Sequence, residues 1–141
     1  RGPGLVSSHD GVSEVSRTAP DAAGVRVLLT DRSPDLVAID EAQFFGPDLV
    51  SVVDELAGIG MTVVVAGLSV TFDGRPFEPL PTLMATAEKV TRLTAVCAVC
   101  GGEAAFHQRV DPASGGDALT PLAEHVGGLE TYQARCRHHR G

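Results

Sequence analysis

A chain of 141 residues with 43% hydrophobic content and both charge signs has the composition of one soluble globular domain, able to bury a core and carry a small appendage. A formal net charge of −7 argues against a surface that grips nucleic-acid backbone, and no run approaches the roughly eighteen apolar residues of a membrane span. Aromatic residues make up 4% and Trp is absent, so the core must come mostly from Val, Leu and Ala.

Arg1-Gly2-Pro3-Gly4 carries neither an apolar h-region nor an initiator Met, the pattern expected without a signal peptide and in a chain that begins partway through a gene product. Residues 1–24 are rich in Gly, Ser, Pro and Asp and predict loop. Val25-Arg26-Val27-Leu28-Leu29 predicts a short strand. After a turn at Asp31 to Asp35, Leu36-Val37-Ala38-Ile39 predicts a buried parallel strand, bounded by turn formers on both sides.

That run ends in Asp40 and Glu41, at the rim of an open α/β sheet where ligands bind. A nucleotide enzyme needs one carboxylate to hold Mg²⁺ and often a second to steer or deprotonate the nucleophile. The plain alternative is a strand end running into an acidic loop. Pro47 and Asp48 suit the first turn of a helix, and Leu49, Val52, Val53 and Leu56 then recur at helical spacing until Gly58 and Gly60 stop it. Thr62 to Ala66 predicts a second parallel strand, joined to the first by a right-handed crossover.

Gly67 to Phe77 forms a long loop at the same rim, and loops there commonly carry function. Leu80 to Lys89 predicts a helix with Leu80, Leu83, Met84 and Ala87 inward, and Val90 to Val96 a last strand. Beyond it periodicity disappears while Gly, His, Cys and Arg accumulate, without any internal repeat.

Three cysteines, all in the last third, do not make a disulfide framework. Cys97-x-x-Cys100, followed by Gly101-Gly102, has instead the form of a zinc knuckle, and Cys136-x-x-His139 supplies a second pair. Together they make a closed Cys₃His structural site, with His138 as an alternative fourth ligand. A redox Cys-x-x-Cys ordinarily opens a helix, whereas glycines follow this one. The phosphate-binding signature Gly-x-x-x-x-Gly-Lys-Ser/Thr occurs nowhere, and Lys89 is the only lysine.

Phe72 and Phe77, in the loop beside the carboxylates, can sandwich a planar base or plug the loop onto the sheet. Tyr132 can reach the site or simply cover the zinc clamp. His9 can touch phosphate or sit as a plain surface residue. His107 and His125 give no spacing signal, and Asp54-Glu55 suits a solvated helix face.

Taken together the chain resembles the type II, zinc-containing cytosolic thymidine kinase family. The resemblance rests on Ser7-Ser8-His9-Asp10-Gly11, Asp40-Glu41-Ala42-Gln43-Phe44-Phe45, Gly67-Leu68 to Pro76-Phe77, Cys97/Cys100, Arg109, Gly127-Gly128 to Tyr132 and Cys136/His139, in that order. It implies a P-loop-NTPase-like parallel sheet over residues 1–96 and a C-terminal zinc-binding lasso over 97–141. It further implies ATP-dependent phosphoryl transfer to the 5′-hydroxyl of thymidine or deoxyuridine. Glu41 would be the general base, Asp40 would hold Mg²⁺, and His9 would lie near the nucleotide. Gln43, Phe44, Leu68, Phe72, Phe77 and Tyr132 would bind substrate. Cys97, Cys100, Cys136 and His139 would hold structural zinc, in a cytoplasmic homotetramer that engages neither nucleic acid nor membrane.

Departures accompany the match. The family's first strand and P-loop would precede residue 1, so the 141 residues alone are expected not to turn over. His107 stands where the family often has Thr, and residues 110–123 are longer and richer in Gly and Pro than usual. Two rivals follow: a zinc-stabilised binding domain without catalysis, and a helicase-type ATPase fragment suggested by Asp40-Glu41-Ala42-Gln43. The latter would need two large lobes and a basic track.

Overall fold

The computed structural model describes residues 4–7, 10–109 and 132–140. The N-terminal stretch holds a hairpin of β1 (Gly4–Ser7) and β2 (Ser13–Ser16), antiparallel with Leu5 opposite Val15 and Val6 opposite Glu14. The expected loop over 1–24 is therefore corrected in part, because backbone pairing rather than burial holds these strands. Leu5 and Val15 are both exposed.

Val25 to Leu29, expected as a strand, lies instead in helix α1 (Ala22–Leu29). The deciding signal sits upstream of the apolar run. Asp21 caps the helix, its carboxylate accepting the Gly24 N–H at 2.7 Å. Ala22 and Val25 then bury on one face with Leu29 packed against the same core. The spacing is that of a helix, although Val25, Val27 and Leu29 alternate like a strand.

β3 (Leu36–Ile39) and β4 (Thr62–Val65) pair in parallel, with Leu36 opposite Thr62 and Ile39 opposite Val65. The ladder runs on at both ends, through Thr62 N–H to Asp35 C=O at 2.9 Å and Ala66 N–H to Ile39 C=O at 2.9 Å. Between the strands α2 (Leu49–Gly58) buries Leu49, Val52 and Leu56, three of the four residues whose spacing predicts its inner face; Val53 is half-buried. Asp48 takes the N-cap position, beside the positive end of the helix, and its side chain makes no capping hydrogen bond. Gly60 ends α2 at φ +90°, with Gly60 N–H bonded to Ala57 C=O and Met61 N–H to Leu56 C=O, the reciprocal pair of a left-handed helix stop.

The strands are not buried on both faces as expected. Ile39 is buried and Val37, Val63 and Val65 pack against the helices, but Leu36 and Val64 on the opposite face are half exposed. The helix from Leu80 is shorter than its apolar spacing predicts, ending at Thr86 as α3 (Leu80–Thr86), with Leu80 and Leu83 buried and Ala87 exposed. Val90 to Val96 is not a last strand of this sheet. Only β5 (Ala95–Val96) is extended by pairing, antiparallel to β6 (Glu103–Ala104). A second hairpin joins β7 (Phe106–Arg109) to β8 (Tyr132–Arg135), with Arg109 opposite Tyr132.

Two apolar clusters result. One gathers α1, β3, α2 and α3; the other is small and centred on Cys97, Ala104 and Cys136. No helix among the described residues is long and apolar enough to cross a membrane.

Candidate functional site

The chain leaves β3 through Asp40 and then turns sharply. Glu41 adopts φ 53°, ψ 42°, the left-handed region that costs a residue with a Cβ roughly 1–2 kcal/mol. Such outliers persist where surrounding contacts over-determine them, and they gather at functional sites. Here the contacts can be named. Asp40 Oδ1 accepts the Glu41 N–H at 2.9 Å, Ala42 N–H bonds Ala66 C=O at 3.0 Å, and a 3₁₀ turn over Ala42–Phe45 follows at once.

Gln43 completes the lock. It is the one polar residue among the buried described residues, 5% exposed, and both ends of its amide are engaged. Nε2 donates to Glu41 Oε2 at 2.5 Å and Oε1 accepts the Leu68 N–H at 3.0 Å. The acid at the tip of β3 is thereby tied to the backbone leaving β4. Gly67 makes this approach possible, since a Cβ there would lie 2.6 Å from Gln43 Oε1 and 3.0 Å from both Ala42 N and Leu80 Cδ2. In the sequence Gly67 opens the loop that runs to Phe77; its close approach to Gln43 spans 24 positions and has no local signal.

The loop that follows is closed on itself. Val70 bridges Pro76, Thr71 N–H bonds Arg75 C=O at 2.9 Å, and Phe77 N–H bonds Ser69 C=O at 3.0 Å. Thr71 Oγ1 donates to Asp73, and that bond, with Arg75 beside it at 2.8 Å, holds the Asp73 carboxyl below its usual range. The half-buried Phe72 ring meets Tyr132 at 6.4 Å between centroids, tilted by 46°. His107 stands edge-on to the same Tyr132 at 5.7 Å, and burial lowers its pKa. Phe72, Tyr132 and His107 therefore form one aromatic group, which joins the loop to the β7–β8 hairpin.

Of the remaining residues expected at the site, Leu68 and Phe44 are 44% and 41% exposed and Phe77 is half-buried. Phe45, next to Phe44, packs into the main core. Gln43, expected to touch substrate, is buried with both ends of its amide engaged. His9, Gly127, Gly128, His125 and the stretch 110–123 lie outside the described residues. Glu55 is more than a solvated charge, since it holds Arg26 through two hydrogen bonds of 2.7 Å that tie α1 to α2.

The ligand atoms of Cys97, Cys100, Cys136 and His139 all lie within 4.8 Å of one another. Their separations fit a tetrahedral ion. Zinc–sulfur bonds of about 2.3 Å imply a sulfur–sulfur edge near 3.8 Å, and Cys100 Sγ to Cys136 Sγ is 3.8 Å. His139 Nδ1 is 3.8 Å from Cys97 Sγ and 3.1 Å from Cys136 Sγ. A disulfide is excluded at such distances, and all three cysteines are free.

Burial of Cys97 works against its thiolate, but backbone N–H groups of Cys100, Cys136 and Val99 outweigh it and bring the pKa down to about 5. Such a sulfur is a ready ligand at neutral pH. Cys100 is pulled down by the Gly102 backbone, but the two neighbouring sulfurs and burial push it up on balance, the crowding a cation would relieve. A cavity of about 410 Å³ lined by Leu29, Arg32, Asp35, Leu56 and Met61 lies where β3 and β4 begin, at the other end of the strand pair from Asp40 and Glu41.

A family profile described as thymidine kinase matches residues 2–140. The chain is 44% identical over 134 residues to the thymidine kinase of Bdellovibrio bacteriovorus, covering 95% of this chain and 62% of that protein. It is 40% identical to the thymidine kinase of Deinococcus deserti, covering 95% of this chain and 70% of the relative, and 44% identical to that of a Rhodothermus species, covering 94% and 58%. The chain thus spans about three fifths of the length of two of these relatives. With a profile match over almost every residue, the chain belongs to the thymidine kinase family.

Proposed function

We propose that this chain carries the nucleoside side of a thymidine kinase, which transfers the γ-phosphoryl group of ATP to the 5′-hydroxyl of thymidine or deoxyuridine. The observation that supports it most is Glu41, held in a left-handed turn at the tip of β3 and anchored through Gln43 to Leu68. A general base must be held where it meets one proton, and this network fixes the carboxylate on two strands at once. Asp40 accepts the Glu41 N–H through Oδ1 and would hold Mg²⁺. The ion would offset the charge on the transferring phosphoryl group.

Phe44, Leu68, Phe72, Phe77 and Tyr132 would enclose the nucleoside, with Gln43 beside it, and His9 would lie toward the nucleotide. The separate apolar clusters favour dividing the chain at residues 96 and 97, into a P-loop-type core and a zinc-bound lasso. When bound, zinc supplies folding energy to the lasso and takes no part in the chemistry. A cytoplasmic homotetramer completes the reading by its resemblance to the family.

The 141 residues contain no Gly-x-x-x-x-Gly-Lys-Ser/Thr. The test therefore compares this chain with a version extended at its N-terminus by a phosphate-loop segment, assayed for ATP-dependent formation of thymidine monophosphate. The extended protein is expected to turn over and the 141 residues alone are not. Glu41→Gln in the extended protein is expected to slow transfer about 10²-fold or more, the scale of general acid–base catalysis. An unchanged rate removes Glu41 from the chemistry. Zinc binding with no turnover in either form returns the chain to a non-catalytic binding domain.

A further inference from the structure

We propose that Arg140 is a positioning residue that transmits metal occupancy of the cysteine–histidine centre to the loop at 67–77. Arg140 directly follows the ligand His139. The backbone N–H groups of both residues bond the Cys136 carbonyl, at 3.0 and 3.1 Å, so the turn that gathers Cys136 and His139 also sets the base of the Arg140 side chain. The guanidinium carbon lies 4.3 Å from the centroid of the Phe106 ring, and Arg137 reaches the same ring at 5.2 Å.

The far end of Arg140 lies against the substrate-side loop. A Cβ built on Gly74 would be 2.7 Å from Arg140 Nη1 and 3.6 Å from its Cζ. Gly74 has φ +82° and closes its turn through its N–H to Thr71 C=O at 2.9 Å, so glycine meets both the dihedral and the close approach. The loop is thus gripped twice by the C-terminal region: by Tyr132 on Phe72, and by Arg140 on Gly74.

Of the two grips, the one through Arg140 is bonded directly to a metal ligand. The buried cluster around Cys97, Ala104 and Cys136 is small, so the ligand turn depends on the ion for most of its order. With the ion bound, Arg140 is held across Phe106 and bears on Gly74. Without it the guanidinium swings free, and the loop keeps only the Phe72 contact. A planar, always-charged guanidinium suits this task, because it can stack on a ring and meet a backbone turn together.

The inference rests on the metal reading of the centre, and zinc content measured on every sample separates the two. Backbone hydrogen exchange of the zinc-loaded 141-residue chain is followed by mass spectrometry. Arg140→Ala is expected to keep its zinc and to exchange amides of 67–77 roughly fivefold faster, the scale of an exposed cation–π contact. Phe106→Leu removes the platform and is expected to do the same, while Arg137→Ala leaves that segment unchanged. Chelation of the native chain is expected to speed the same amides, and chelation of Arg140→Ala to add nothing further at 71–75. Unchanged exchange in zinc-bound Arg140→Ala overturns the proposal, as does zinc loss in that variant or an additive effect of chelation. A native chain that binds no zinc instead overturns the metal reading.

Discussion

At the scale of single residues, the site depends on a buried amide and the glycine that makes room for it. Gln43 has no solvent to fall back on, so replacing it leaves the Leu68 N–H without its acceptor. Gln43→Leu is expected to cost about 1–3 kcal/mol of stability in denaturant titration, the usual penalty for an orphaned buried donor. Gly67→Ala drives a methyl into Gln43 Oε1 and the Ala42 backbone and is expected to cost a similar amount, about 1–3 kcal/mol, by overpacking. Because both changes break one contact, the double variant should lose less than the sum, and strict additivity would show that they act independently. His107 offers a test in pH. Burial lowers its folded pKa below the ordinary 6.5, so the unfolded chain takes the proton first as pH falls. Stability is then unaffected well above 6.5 and declines as pH drops through it. Acid also weakens metal binding in general, so the informative quantity is a difference. His107→Gln is expected to show a shallower acid-side loss than the native chain in thermal melts at matched zinc.

At the scale of elements, β3 and β4 set the geometry and the turns after them supply the groups. Neither strand has more than four residues, yet their parallel register brings Asp40, Glu41 and the start of the 67–77 loop to one rim. The group of Cys97, Cys100, Cys136 and His139, which could hold a metal ion, likewise gathers two turns that are remote in sequence. Cys97→Ser is expected to abolish the stoichiometry of about one zinc per chain that a Cys₃His centre implies. It should also raise exchange in the turns 97–102 and 136–140, while α2 stays protected. Full zinc content in that variant would break the ligand assignment.

At the scale of the whole molecule, two apolar clusters of unequal size share no residue. The larger has helices and strands to bury, and the smaller has little apolar surface beside four residues that could hold a metal ion. Chelation is therefore expected to remove a low-temperature transition, read by exchange in the ligand turns 97–102 and 136–140, and to leave the melting of α1, α2 and α3 in place. One cooperative transition moved as a unit by chelator would show that the two clusters unfold together.

Much of this was legible from residue order, because short-range chemistry wrote it. The β-branched runs at 36–39 and 62–65, the apolar spacing of α2 and the paired ligand spacings of Cys97/Cys100 and Cys136/His139 are local signals, each read within a few residues. Other features were decided by contacts distant in sequence. Val25 to Leu29 alternates like a strand yet is helical, since the Asp21 cap and burial of Ala22 and Val25 against α2 and β3 outweigh β-propensity. Val90 to Val96 has strand composition, but pairing reached only Ala95–Val96, and its partner was β6 rather than the parallel sheet. The inward turn of Gln43, the second role of Gly67 and the reach of Arg140 to Gly74 belong to tertiary structure alone. Each joins residues at least 24 positions apart, and no local pattern encodes which of them will meet.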